Sequence, residues 1–95
     1  MSVTRLNHFV AKPGSAKALL SMLQDVVTQV RESAGCESVQ LLQATEDPTR
    51  LCVVEVWASV AAHRASFQNA MPEQVQAVMA LLAEPPSGAY YDVSG

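Results

Sequence analysis

The side chains able to do chemistry are few in this sequence, and most of them fall near one point. His63 is the first candidate. An imidazole titrates near neutrality and can take or return a proton there. Phe67, four positions on, shares its helical face. The competing reading of His63 is a satisfied histidine in a helix–sheet packing layer, or one that caps a backbone carbonyl. Trp57, the only tryptophan, ends an apolar run and could line a pocket or offer its indole N–H to a ligand oxygen. In a core, that N–H goes to backbone instead. Glu55 lies two residues earlier, on the same face. A buried carboxylate is costly unless paired, so either Arg5 or a ligand must answer it, and an ion pair with Arg5 is the expected answer. Asn7 and His8 point to opposite faces of one strand, so at most one of them sees a pocket beneath helices. Tyr90 and Tyr91 divide in the same way, one toward a cavity and one toward a subunit seam.

Other chemistries find little support. His8, His63 and Glu55 lack a metal-ligand spacing such as His-x3-His. Ser59 and His63, at i and i+4, read as a helix cap and not a nucleophile pair. Cys36 and Cys52 sit in apolar strand-like runs, outside any Cys-x-x-Cys pattern, and read as reduced, buried thiols. No metal and no cofactor is expected.

The elements that must position these groups follow from periodicity. Val3 to Ala11 reads as a first strand, broken by Lys12-Pro13-Gly14, with Ser15 as a helix cap. Ala16, Leu20, Leu23, Val27, Val30 and Ala34 then recur at spacings of four and three, one face of a helix that Gly35 closes. Cys36 to Thr45 and Leu51 to Ala58 read as an antiparallel hairpin turning at Asp47-Pro48. A helix capped by Ser59 carries Ala62, His63, Phe67 and Ala70 until Met71-Pro72 breaks it. A further helix runs from about Pro72 to Ala83 with Val75, Val78, Met79 and Leu82 on one face, and Ala89 to Val93 is a closing strand. The order is β-α-β-β-α-β, a ferredoxin-like α+β domain with a four-stranded antiparallel sheet and helices on one face.

Composition points to a partner. The chain has 95 residues, 49% of them apolar and 16% charged, which is one small domain with more apolar surface than its interior can hold. Cys52, Val54 and Val56 alternate with Leu51, Val53 and Trp57, so the third strand is apolar on both faces. A second copy packed sheet to sheet is the simplest cover, giving a homodimer. A net charge of −3 with no basic stripe argues against nucleic acid, and no apolar run is long enough to span a bilayer. Without a signal-like N-terminal block, a cytoplasmic location is expected.

Taken in chain order, these pieces resemble the antibiotic biosynthesis monooxygenase family, small dimeric α+β barrels. The resemblance is carried by the first strand running into Lys12-Pro13-Gly14, the Ala34-Gly35-Cys36 helix exit, and Asp47-Pro48 in the hairpin. Val54-Glu55-Val56-Trp57 and, six residues after the Trp, Ala62-His63 complete it. It spans nearly the whole chain and implies one domain over residues 1–95. Similarity to the family's haem-degrading branch is confined to Asn7. Members include enzymes that oxygenate anthrone-like or quinol substrates without metal or flavin. The resemblance therefore implies a cofactor-independent monooxygenase whose substrate is a small aromatic or quinol-type molecule held between sheet and helices. On that reading His63 is the catalytic base or anion partner, and Asn7, Trp57, Phe67 and Tyr90 contact the substrate. The alternatives are a dimeric barrel that binds a small ligand without turnover, and isomerase or lyase chemistry in the same pocket.

Overall fold

Breaks in the chain's periodicity become the corners of the fold. In a computed structural model, which describes residues 1–95 except the side chain of Asn69, strand β1 (Val3–Val10) leads into helix α1 (Ala16–Arg31). Strands β2 (Cys36–Gln43) and β3 (Arg50–Trp57) form the hairpin. Helix α2 (Val60–Ser66), a single 3-10 turn (Phe67–Asn69) and helix α3 (Pro72–Ala80) follow, and β4 (Ser87–Tyr91) closes the chain. The strands lie in the order β2-β3-β1-β4, every neighbouring pair antiparallel. This is the split arrangement expected from the sequence. No helix among the described residues is long and apolar enough to cross a membrane.

Alternation along β3 sorts the two faces. Leu51, Val53, Glu55 and Trp57 are buried beneath the helices, while Cys52, Val54 and Val56 lie on the other face. Leu19, Leu23 and Val27, at spacings of four, form the buried stripe of α1. Two groups of core residues result. Leu19 and Leu23 meet Ala11, Leu51, Val78 and Leu82, and Val27 meets Val39 and Val53.

Several boundaries differ from those the periodicity predicts, for tertiary reasons. Helix α1 ends at Arg31, and Ala34 lies in the turn beyond it, where Gly35 takes a positive φ of 85°. The last turn of α3 is cut short at Ala80. Beyond it Leu82 bridges to Ala11, and the Lys12 N–H and the Val10 carbonyl pair with Leu81 and Ala83 at 2.8 Å each. Strand β4 begins two residues early, at Ser87, because Ser87 and Gly88 find partners in His8 and Asn7. Ser59 does cap α2, its hydroxyl accepting from the Ala62 N–H at 3.0 Å.

Candidate active site

Three elements aim polar side chains at one spot beneath the helices. Cross-strand pairing sets Arg5 of β1 opposite Glu55 of β3 and Asn7 opposite Val53, with all four on the helix-covered face. From above, α2 lowers His63, which is 3% exposed. Asn7, Glu55 and His63 line one end of a cavity of about 320 Å³. Its other walls are mostly apolar: Phe9 from the sheet, Leu23, Val26 and Val30 from α1, and Val75, Val78 and Met79 from α3.

The polar end is a directed chain of hydrogen bonds. Arg5 Nε donates to Asn7 Oδ1 at 3.0 Å, and Asn7 Nδ2 donates to Glu55 Oε2 at 3.0 Å. Trp57 Nε1 donates to Glu55 Oε1 at 2.7 Å. His63 Nδ1 shares a hydrogen with the Tyr90 hydroxyl at 2.5 Å, and its Nε2 stands 3.8 Å from Glu55 Oε1. Rings of Trp57, Phe67 and Tyr90 pack around the imidazole in edge-on contacts, with centroids 5.4, 4.6 and 5.2 Å away.

Burial governs the protonation of this cluster. It raises the Glu55 carboxyl above its ordinary value, against the pull of the Trp57 bond, the Arg5 charge and the Asn7 bond. It lowers His63, and the positive charges of Arg5 and Arg64 push the same way. Each shift favours the uncharged form of its own group.

The expected direct ion pair between Glu55 and Arg5 is replaced by a longer route. Asn7 stands between them, taking a bond from Arg5 and giving one to Glu55, while the Arg5 guanidinium lies 4.7 Å over the Tyr90 ring. Of the residues predicted to contact a ligand, Asn7, His63 and Phe67 do line the cavity. Phe67 sits at the mouth, 61% exposed. Trp57 and Tyr90 are one layer back. Trp57 has no exposed surface and spends its N–H on Glu55, and Tyr90 spends its hydroxyl on His63. His8 faces away from the cavity, as the opposite-face argument requires, and Tyr91 is 49% exposed on the same far side. Glu55 is the wall residue that sequence reasoning paired with Arg5 and did not count among the ligand contacts. Its signal was its alternation with Val53 and Trp57, which put it beneath the helices, where a carboxylate has to be answered by donors.

Comparison with known proteins bears on the whole chain. The family model that matches is antibiotic biosynthesis monooxygenase, over residues 2–80. Among solved structures, PA3566 of Pseudomonas aeruginosa is 27% identical, with a TM-score of 0.81 over 98% of this chain and 95% of its own. SnoaB of Streptomyces nogalater, described as a cofactor-independent oxygenase, is 18% identical with a TM-score of 0.84 over 99% and 94%. Rv0793 of Mycobacterium tuberculosis is 21% identical with a TM-score of 0.80 over 100% and 97%. No curated protein matches.

Proposed function

The chain belongs to the antibiotic biosynthesis monooxygenase family, and from that premise we propose that it is a cofactor-independent monooxygenase oxidising a small aromatic or quinol-type substrate in the cavity beneath its helices. The observation that carries the reading is the cavity's asymmetry. Its walls are mostly apolar, and at one end stand the buried Glu55 carboxylate and His63 imidazole with the half-buried Asn7 amide beside them. Oxygenation without a cofactor asks for little else. A phenolic hydroxyl loses its proton, the electron-rich anion reduces dioxygen by one electron, and the radical pair recombines. The protein supplies a dry cavity, an acceptor for the proton and donors for the anion. SnoaB, with the same fold, is described as an oxygenase of this kind.

In this reading His63 works at the substrate's hydroxyl as base or as partner of the anion. Asn7 fixes the ring's orientation and Phe67 closes the mouth, while Trp57 and Tyr90 hold Glu55 and His63 in place from behind. The working unit is a homodimer joined through the open sheet face, and its compartment is the cytoplasm, where free thiols such as Cys36 and Cys52 stay reduced.

Oxygen uptake by the metal-stripped protein with a panel of anthrones and hydroquinones tests the reading. Uptake above autoxidation is expected, and His63→Ala should lower it by about 10²–10⁴-fold, the range of a lost acid–base group. No uptake with any member would leave a ligand-binding barrel, and turnover that survives strict anaerobiosis would point to isomerase or lyase chemistry. Gly88→Ala makes a second probe. A Cβ there would stand 2.5 Å from Arg5 Nη2 and 2.6 Å from Asn7 Oδ1. Both are ends of flexible side chains, so the polar network moves and the strand does not. Turnover should fall by about 10²-fold, with stability changed by only about 1–3 kcal/mol in a thermal melt. Full turnover would detach Asn7 from the chemistry.

A further inference from the structure

Within the reading just given, we propose that Glu55 is the catalytic residue that takes the proton from the substrate's hydroxyl, and that His63 is the partner of the resulting anion. The argument is an inventory of free acceptor sites at the polar end of the cavity. Asn7 has its carbonyl oxygen committed to Arg5 and one N–H to Glu55. His63 has Nδ1 engaged by the Tyr90 hydroxyl. Its Nε2 faces Glu55 at 3.8 Å, and rings of Trp57, Phe67 and Tyr90 cover its edges. When Tyr90 donates to Nδ1, the neutral imidazole carries its hydrogen on Nε2 and has no lone pair left to offer. Glu55 is different. A carboxylate has about four lone-pair sites, and Trp57 and Asn7 use one on each oxygen. Acceptor capacity therefore remains on a side chain that lines the cavity.

The step is simple to balance. The ligand's O–H bond breaks, a new O–H bond forms on a Glu55 oxygen, and the electron pair stays on the ligand as its phenolate. The negative charge passes from Glu55 to the ligand, beside the Nε2–H of His63. No oxidant enters until dioxygen meets the anion. The charged and titratable groups facing Glu55 are Arg5, opposite it in β1, and His63 of α2, whose Nε2 is 3.8 Å away; the Glu55 charge also pushes up the thiol of Cys36, which pairs with Trp57 in β2. Arg5 alone lowers the carboxyl through its charge, and burial outweighs it. Glu55 is thereby brought closer to the pH at which it must work, which is what an efficient general base needs.

The protein carries its own reporter. Trp57 is its only tryptophan and donates directly to Glu55. Its fluorescence in the intact protein should follow the ionisation of Glu55, with a midpoint above the ordinary 4.5, and Glu55→Gln should abolish that transition. His63→Gln should shift it and leave it present. Carbon-13 NMR of the glutamate carboxyls in the unmodified protein gives the same answer without a variant, as a carboxyl whose midpoint lies above the ordinary 4.5. Binding of 1-naphthol should exceed that of 1-methoxynaphthalene by about tenfold or more, and Glu55→Gln should erase the difference. A transition lost with His63→Gln and kept with Glu55→Gln would overturn the assignment, as would equal binding of the two naphthalenes. These readouts do not depend on oxygen chemistry. Absent oxygen uptake with an intact titration would sink the monooxygenase reading alone, and uptake that survives Glu55→Gln would sink only the role of Glu55.

Discussion

Val54→Asp is expected to turn a dimer into a folded monomer, while Val53→Asp, one residue earlier, is expected to destroy the fold. The two valines differ only in the face of β3 they occupy. Val53 is 3% exposed and packs with Val27 and Val39. An aspartate there is an unpaired charge in a dry core, a change of several kcal/mol against a total stability of about 5–15 kcal/mol. Val54 pairs with Leu6 on one side and Gln40 on the other, on the face that no helix covers. Leu6, Val10, Cys52, Val56 and Ala89 lie on that face too, and Leu42 and Tyr91 leave 48% and 49% of their surface open there. A stable dimer buries about 800 Å² per partner, and this apolar face is the place to find it. In a two-fold interface each copy contributes its own aspartate, so Val54→Asp sets two like charges in one apolar layer. Light scattering at micromolar concentration reads the assembly and circular dichroism reads the fold. A Val54→Asp protein that stays dimeric would place the interface elsewhere.

How much of this could be read beforehand depends on what each feature rests on. Element order rests on local chemistry. Pro13-Gly14, Gly35, Asp47-Pro48 and Met71-Pro72 break the periodic runs, and those breaks are where the fold turns. Element ends rest on tertiary pairing, which no local signal reports. The helix pattern runs on through Leu82, but that residue is taken by its bridge to Ala11. The same division runs through the site. Alternation set Glu55 on the face of Trp57 and allowed only one of Asn7 and His8 beneath the helices without saying which, and helical spacing set Phe67 against His63. The partner of Glu55 was hidden, because Arg5 is directly opposite it in the register. That backbone fact invites an ion pair, and only the side-chain torsions send Arg5 to Asn7 and over Tyr90 instead. The contribution of α1 to the cavity was hidden too. Val30 stands on the apolar stripe that the spacing picks out, but the spacing does not say that the stripe faces a cavity there, and Val26 beside it reads like a flank facing solvent.

Gly35→Ala is the second substitution with a large expected effect, and it links the turn after α1 to the chemistry. Gly35 holds a φ of 85°, where a side chain costs about 1–2 kcal/mol. A Cβ built there would stand 2.6 Å from the Cβ of Ala62, and such overpacking adds about 1–3 kcal/mol. Together roughly 2–5 kcal/mol is lost, which at about 4–8 °C per kcal/mol for a domain of this size lowers the melting temperature by some tens of degrees at the upper end. The clash has a direction. The Gly35 carbonyl accepts from the Ala58 N–H at 2.8 Å, fixing the turn to the end of β3, so α2 is the element free to move. Ala62 is the residue before His63, and a shift of α2 carries the imidazole away from Glu55 and Tyr90. Adding Ala62→Gly removes the overlap and leaves the strained φ, at a helix cost of about 1 kcal/mol. The double variant should therefore recover activity more fully than stability. Equal recovery of both would mean that the position of α2 does not govern the site.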